Sequence, residues 1–200
     1  MNNNPIGVFD SGLGGLTVVK AIQDLLPNES VIYLGDTARV PYGNKSQQTI
    51  KKYSFQIADF LIENGAKIIV IACNTASALA IEDVKKYVEI PVVGVIEPGV
   101  ETAINSTRNK QIGVIGTTAT IRSMEYEKKT KDSRSGRECC ESILSVICPL
   151  GGRRLAGRNN CRRHCKNLSK TNYISKYRYS SSGVYTLSTL KTTFTISNWE

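Results

Sequence analysis

Two hundred residues with 40% apolar content can bury one ordinary globular core or two small ones. No uninterrupted apolar run reaches membrane-spanning length, and MNNNPIG lacks the pattern of a signal peptide, so a cytoplasmic protein with its six cysteines reduced is expected. The net charge of +9 would ordinarily point to nucleic acid, but residues 1–129 carry 13 basic and 13 acidic side chains while residues 130–200 carry 13 and 4. Two compositions are therefore joined near Lys129, and five of the six cysteines (139, 140, 148, 161 and 165) lie in the second.

In chain order, apolar strand candidates recur at PIGVFD, SVIYLGD, KIIVIAC, PVVGVIE and QIGVIGT. Between them lie LTVVKAIQDLL, SQQTIKKYSFQIADFLIENG and ASALAIEDVKKYV, with apolar residues at three and four spacing and a Gly closing the second. The alternation predicts an α/β fold: a doubly wound parallel sheet over residues 1–97, the beginning of a second α/β domain over 98–129, and a basic tail over 130–200. KNLSKTNYISKYRYSSS in that tail has no apolar face to offset ordering entropy, and disorder is expected over the tail, 130–200.

Right-handed crossovers bring the strand ends to one edge, where their loops share a crevice. Those loops are Asp10-Ser11-Gly12-Leu13-Gly14-Gly15, then Asp36 through Gly43, then Cys73-Asn74-Thr75, Glu97-Pro98-Gly99, and Gly116 through Thr120. DSGLGG is not the dinucleotide fingerprint and no phosphate-binding G-x-x-x-x-G-K-[ST] occurs, so no cofactor is expected. What remains is a crevice of hydroxyls, amides and backbone N–H groups with one carboxylate and one thiol, which suits a small polar carboxylate ligand. Cys73 stands where a buried strand meets a helix start; a helix amino terminus favours the thiolate and can pull its pKa below the usual value of roughly 8.5. Each loop also has a structural explanation: glycines form turns, Asp and Thr cap helices, Tyr42 could be a rim aromatic, and Cys73 could be a small buried hydrophobe.

The runs GVFDSGLGGLTV, GDTARVPYG, ACNTASA, PVVGVIEPG and IGVIGTTATI, spanning residues 5–129, resemble the glutamate racemase family. The resemblance implies a cofactor-independent isomerase that supplies D-glutamate for bacterial peptidoglycan, with glutamate as substrate and a homodimer possible. Its chemistry uses two opposed cysteines, because inverting an amino acid requires removal of the α-proton from one face and its return on the other. By resemblance Cys73 is the first of these bases and Asp10 assists its proton handling, with Ser11, Tyr42, Gly43, Asn74, Thr75, Thr117 and Thr120 as substrate contacts.

The family's second cysteine lies in GCTHYPLL, which these 200 residues do not contain. Their remaining cysteines stand in RECCES, VICPL and CRRHC; the last, with Cys161, His164 and Cys165, lacks the second ligand pair of a zinc site, so no metal is expected. Back-translated with permitted codons and read one step out of frame, family-like TLVLGCTHYPLLK gives SSSGVYTLSTLK, residues 180–191. The same shift turns SCPLFVPLVEEGWL into ILSVICPLGGRRLA, residues 143–156. The tail thus reads as an out-of-frame translation beginning between about Lys129 and Glu141, which implies impaired activity. The alternative is a nucleic-acid or anionic-surface binder working through CRRHCKNLSKTNYISKYRY.

Overall fold

The computed structural model describes residues 3–106, 112–132 and 142–145. Four strands, β1 (Ile6–Asp10), β2 (Val31–Gly35), β3 (Ile68–Ile71) and β4 (Val92–Gly94), form a wholly parallel sheet in the order β2-β1-β3-β4. In register, Ile6 pairs with Val31 on one side and Ile68 on the other, which sets the carboxyl ends of β1, β2 and β3 side by side. The chain reverses its direction of winding between β2 and β3, so the crevice lies at the switch point that open α/β sheets use for ligands.

The central strand is buried along its length because the sheet is covered on both faces. Ile6, Val8 and Ala72 pack with Val18, Val19 and Ile22 of α1 (Leu16–Leu25) on one side. On the other, Phe9, Ile69 and Ile71 meet Ile50, Ile57, Ala58 and Leu61 of α2 (Gln47–Glu63) and Val84 of α4 (Ile81–Tyr87). Each fully buried aliphatic side chain contributes about 1.5–3 kcal/mol. Helix α2 has the ends its sequence foretells: the Ser46 hydroxyl accepts the Thr49 N–H, and Gly65, at φ +82°, turns the chain out of the helix.

Two segments differ from the sequence reading. The single helix expected over residues 76–88 is two, α3 (Asn74–Leu79) and α4, with Ala80 between them at φ −131° and ψ −14°. Ser77 explains the separation: its hydroxyl donates to the Ile71 carbonyl and accepts the Val95 N–H, fixing α3 to the strand ends, while α4 packs along α2 and β4. Glu97-Pro98-Gly99, read as a loop, lies instead in the first turn of α5 (Ile96–Ser106), where a proline's missing N–H leaves no helix bond unmade.

β5 (Gly113–Gly116) opens a second, two-stranded sheet with β6 (Ser142–Ser145), again parallel. Ile96, Val100, Ala103 and Ile104 of α5 bury Ile112, Val114 and Tyr126 in a separate small core. Two helices follow β5: α6 (Thr118–Arg122) and α7 (Glu125–Asp132). The compositional boundary at 129/130 falls inside α7, where Thr130 is buried. Of the tail, residues 130–132 and the strand β6 are ordered parts of this fold; its remaining residues, including all five of its cysteines and His164, lie outside the described residues. Among the described residues no helix is long and apolar enough to cross a membrane.

Candidate active site

The end of β1 is a tight turn folded around one carboxylate. Asp10 Oδ2 accepts the N–H of Gly12 (3.1 Å) and of Gly15 (3.0 Å), so it caps the start of α1, where Gly15 has no side chain to do so. A Cβ on Gly15 would lie 2.6 Å from that of Asp10, which restricts the position to glycine. The Tyr33 hydroxyl, donating to the Gly12 carbonyl at 2.6 Å, ties the turn to β2.

Cys73 follows β3 as the N-cap residue of α3 and is 5% exposed. Its thiol faces Ser11 Oγ at 3.5 Å. The helix-terminus expectation for this thiol is corrected by the structure: its pKa is pushed up to about 11 rather than down. Burial is the largest cause and the Asp10 charge adds to it; the Ser11 hydroxyl and the N–H groups of Ala76 and Ser11 pull the other way without prevailing. Cys73 is therefore a protonated thiol at neutral pH.

A second carboxylate, which the sequence reading did not count, closes the end of β2. Asp36 is 6% exposed and accepts both the Tyr42 hydroxyl (2.5 Å) and Arg39 Nε (2.9 Å). Arg39 in turn stacks 4.2 Å above the Tyr53 ring and donates to Gln56 Oε1 at 2.6 Å. The loop carrying Tyr42 and Gly43 is thereby fastened to both the sheet and α2. Tyr42 is not a rim aromatic: its ring is in the core and its hydroxyl is bound to Asp36, which raises its pKa further after the effect of burial.

The third group joins the two sheets. Thr75 Oγ1 lies 3.0 Å from Thr117 Oγ1 and 3.3 Å from Thr120 Oγ1, and the latter two are 3.0 Å apart, so three hydroxyls close a triangle. Thr117 is also the N-cap of α6, its hydroxyl accepting the Thr120 N–H. Gly43 lies against it, with an added Cβ only 2.6 Å from Thr117 Cβ, so this loop must be glycine there to pack on α6. Asn74 Oδ1 accepts the Tyr126 hydroxyl at 2.6 Å. Glu97 is separate, half exposed in an ion pair with Lys129 on α7.

Asp10, Ser11 and Cys73 thus meet at the β1 and β3 ends, while Gly43, Thr75, Thr117 and Thr120 meet at the second sheet. Asp36, Arg39, Tyr33 and Tyr126 escaped the sequence reading as site residues. Asp36 and Arg39 stand in the quoted loop, but nothing local in Tyr33 or Tyr126 marks their long-range bonds.

Residues 6–172 match the Asp/Glu/Hydantoin racemase family. The glutamate racemase of Aquifex aeolicus is 53% identical over 145 residues, 72% of this chain and 55% of that protein. Among solved structures, glutamate racemase from Aquifex pyrophilus superposes with a TM-score of 0.68 at 51% identity, over 74% of this chain and 58% of that one. Glutamate racemase from Francisella tularensis, in complex with D-glutamate, gives 0.67 at 45% identity, over 74% and 56%. This chain spans little more than half the length of these relatives.

Proposed function

Because this chain belongs to the Asp/Glu/Hydantoin racemase family, we propose that its crevice binds glutamate and exchanges the α-proton on one face, as half of a racemase site. The observation that carries the proposal is the Cys73 thiol, buried at a strand end against Ser11 and beside Asp10, with the Thr75 hydroxyl two residues on bonded to those of Thr117 and Thr120 from α6. The relatives described as glutamate racemases supply the substrate class.

In this reading the hydroxyls of Thr75, Thr117 and Thr120 and the amide of Asn74 receive the carboxylates of glutamate. Tyr42 and Gly43 contribute main-chain N–H groups, since the Tyr42 hydroxyl is already donated to Asp36. Cys73 gives up its proton to solvent when the ammonium group of the ligand arrives, because a nearby positive charge favours the thiolate and offsets the Asp10 charge. The thiolate then takes the α-proton, leaving a carbanion and a thiol. Asp10, close enough for its charge to raise the thiol's pKa, assists that transfer.

Return of a proton from the same thiol restores the same enantiomer with solvent hydrogen in place of the original. Inversion needs a donor on the opposite face, and the 200 residues contain no GCTHYPLL motif to supply it, so racemisation by this chain is impaired. The intact activity would supply D-glutamate for peptidoglycan in the cytoplasm. Incubating L- and D-glutamate separately with the full chain in D2O tests this by proton NMR and chiral chromatography. One enantiomer should gain α-deuterium without inverting, and Cys73→Ser should abolish the exchange. Absence of both exchange and saturable glutamate binding overturns the proposal.

A further inference from the structure

Tyr126 lies on α7, in the second small core, yet its hydroxyl reaches 52 residues back along the chain to the residue after Cys73. There it meets Asn74 Oδ1 at 2.6 Å. A carboxamide on a rotatable side chain can present either its oxygen or its NH2 to a ligand, and which it presents is set by whatever holds the other end. The Tyr126 phenol, its pKa pushed up to about 12 by burial, keeps its proton at neutral pH and donates it to the carbonyl oxygen. Asn74 Nδ2 is then left without a protein partner among the described residues, and Asn74 itself stands between Cys73 and Thr75 in the chain.

We propose that Tyr126 is a positioning residue: by holding Asn74 Oδ1 it fixes the carboxamide so that Nδ2 faces the crevice as a donor to a ligand carboxylate. The inference rests on the proposed glutamate site and adds to it a residue from the second body. It also gives α7 a task. Tyr126 is held in place by its own helix, where the Thr130 hydroxyl donates to the Tyr126 carbonyl and Lys129 pairs with Glu97 at the start of α5. Without that hold the amide would have to be ordered when the ligand binds, at a cost to affinity.

Isothermal titration calorimetry of the full chain with L- and D-glutamate tests the inference in a double-mutant cycle. Tyr126→Phe keeps the ring and its packing and removes only the hydroxyl. Glutamate affinity should fall about tenfold, which corresponds to about 1.4 kcal/mol. In an Asn74→Ala background the same substitution should change affinity by less than about twofold, because the amide it positions is gone. A merely structural Tyr126 would weaken binding equally in both backgrounds, and that result, or full affinity in Tyr126→Phe, overturns the inference. Asn74→Asp is the second variant: it keeps an oxygen for Tyr126 but loses the N–H donor, so unchanged affinity there also overturns it. A parent chain that binds neither enantiomer removes the glutamate reading itself, and does so before any variant is compared.

Discussion

The ends of β1 and β2 each carry a buried carboxylate, joined by a bond from the Asp36 N–H to the Asp10 carbonyl, yet the two are solvated in opposite ways. Asp36 has a full counter-charge in Arg39 and a phenol in Tyr42, and the guanidinium is itself stacked on Tyr53. Among the described residues Asp10 has no cationic partner and is held by two backbone N–H groups. Dipoles hold a carboxylate in place without cancelling its field, so the Asp10 charge is still felt at the Cys73 thiol, whereas the Asp36 charge is absorbed locally. A neutralised buried acid builds the site, and an un-neutralised one acts on it.

The largest expected effect breaks the scaffold side. Asp36→Ala strands the Tyr42 hydroxyl in the core and leaves Arg39 unpaired, and should cost about 3 kcal/mol in urea unfolding. A loss below about 1 kcal/mol would show that the loop is held elsewhere. Next, Gly43→Ala drives a methyl into Thr117 and should cost about 2 kcal/mol, with weaker glutamate binding, because the loop must lift from α6.

Asp10→Asn sharpens the other side. Stability should fall by only about 1 kcal/mol, since an amide oxygen can still accept an N–H. The thiol, however, loses a neighbouring negative charge, so its pKa falls and its thiolate fraction at a given pH rises. In the parent, iodoacetamide labelling of the Cys73 peptide, followed by mass spectrometry, should climb about tenfold per pH unit until near 11. In the variant the same curve should shift to lower pH. The smallest effect belongs to Glu97 and Lys129, whose exposed pair is worth no more than about 1 kcal/mol. Its hydrogen bond to Lys129 holds the Glu97 carboxyl below the usual range, so the contribution is full at neutral pH and disappears as pH falls below 4.5 and through the lowered value. Lys129→Ala should therefore converge with the parent in acid and differ most near pH 7.

How much of this was legible depends on whether a feature is local. The apolar runs of β1 and β3 and the Ser46 and Gly65 ends of α2 are written in neighbouring residues, and so is the placing of Cys73 at a strand end. The break at Ala80 is not, because the Ser77 hydroxyl that fixes α3 bonds to Ile71 and Val95, six and eighteen residues away. Glu97-Pro98-Gly99 carries turn residues that helix α5 accepts because they fall in its first turn. The pKa of Cys73 went the wrong way for a similar reason: a helix terminus is visible in sequence, whereas the depth of burial and the Asp10 charge are properties of the assembled crevice. Helix α7, and Tyr126 with it, spans the change of composition at 129/130, where no single pattern runs long enough to be read.

The triangle of Thr75, Thr117 and Thr120 closes on itself, and each hydroxyl can give its hydrogen to either neighbour. With three hydrogens and three edges, the ring can circulate clockwise or anticlockwise without moving a heavy atom. The three hydroxyls thus satisfy one another across the junction of the two sheets. In the proposed glutamate site an arriving carboxylate would exchange these bonds rather than add to them, the hydroxyls turning to it as the ring opens.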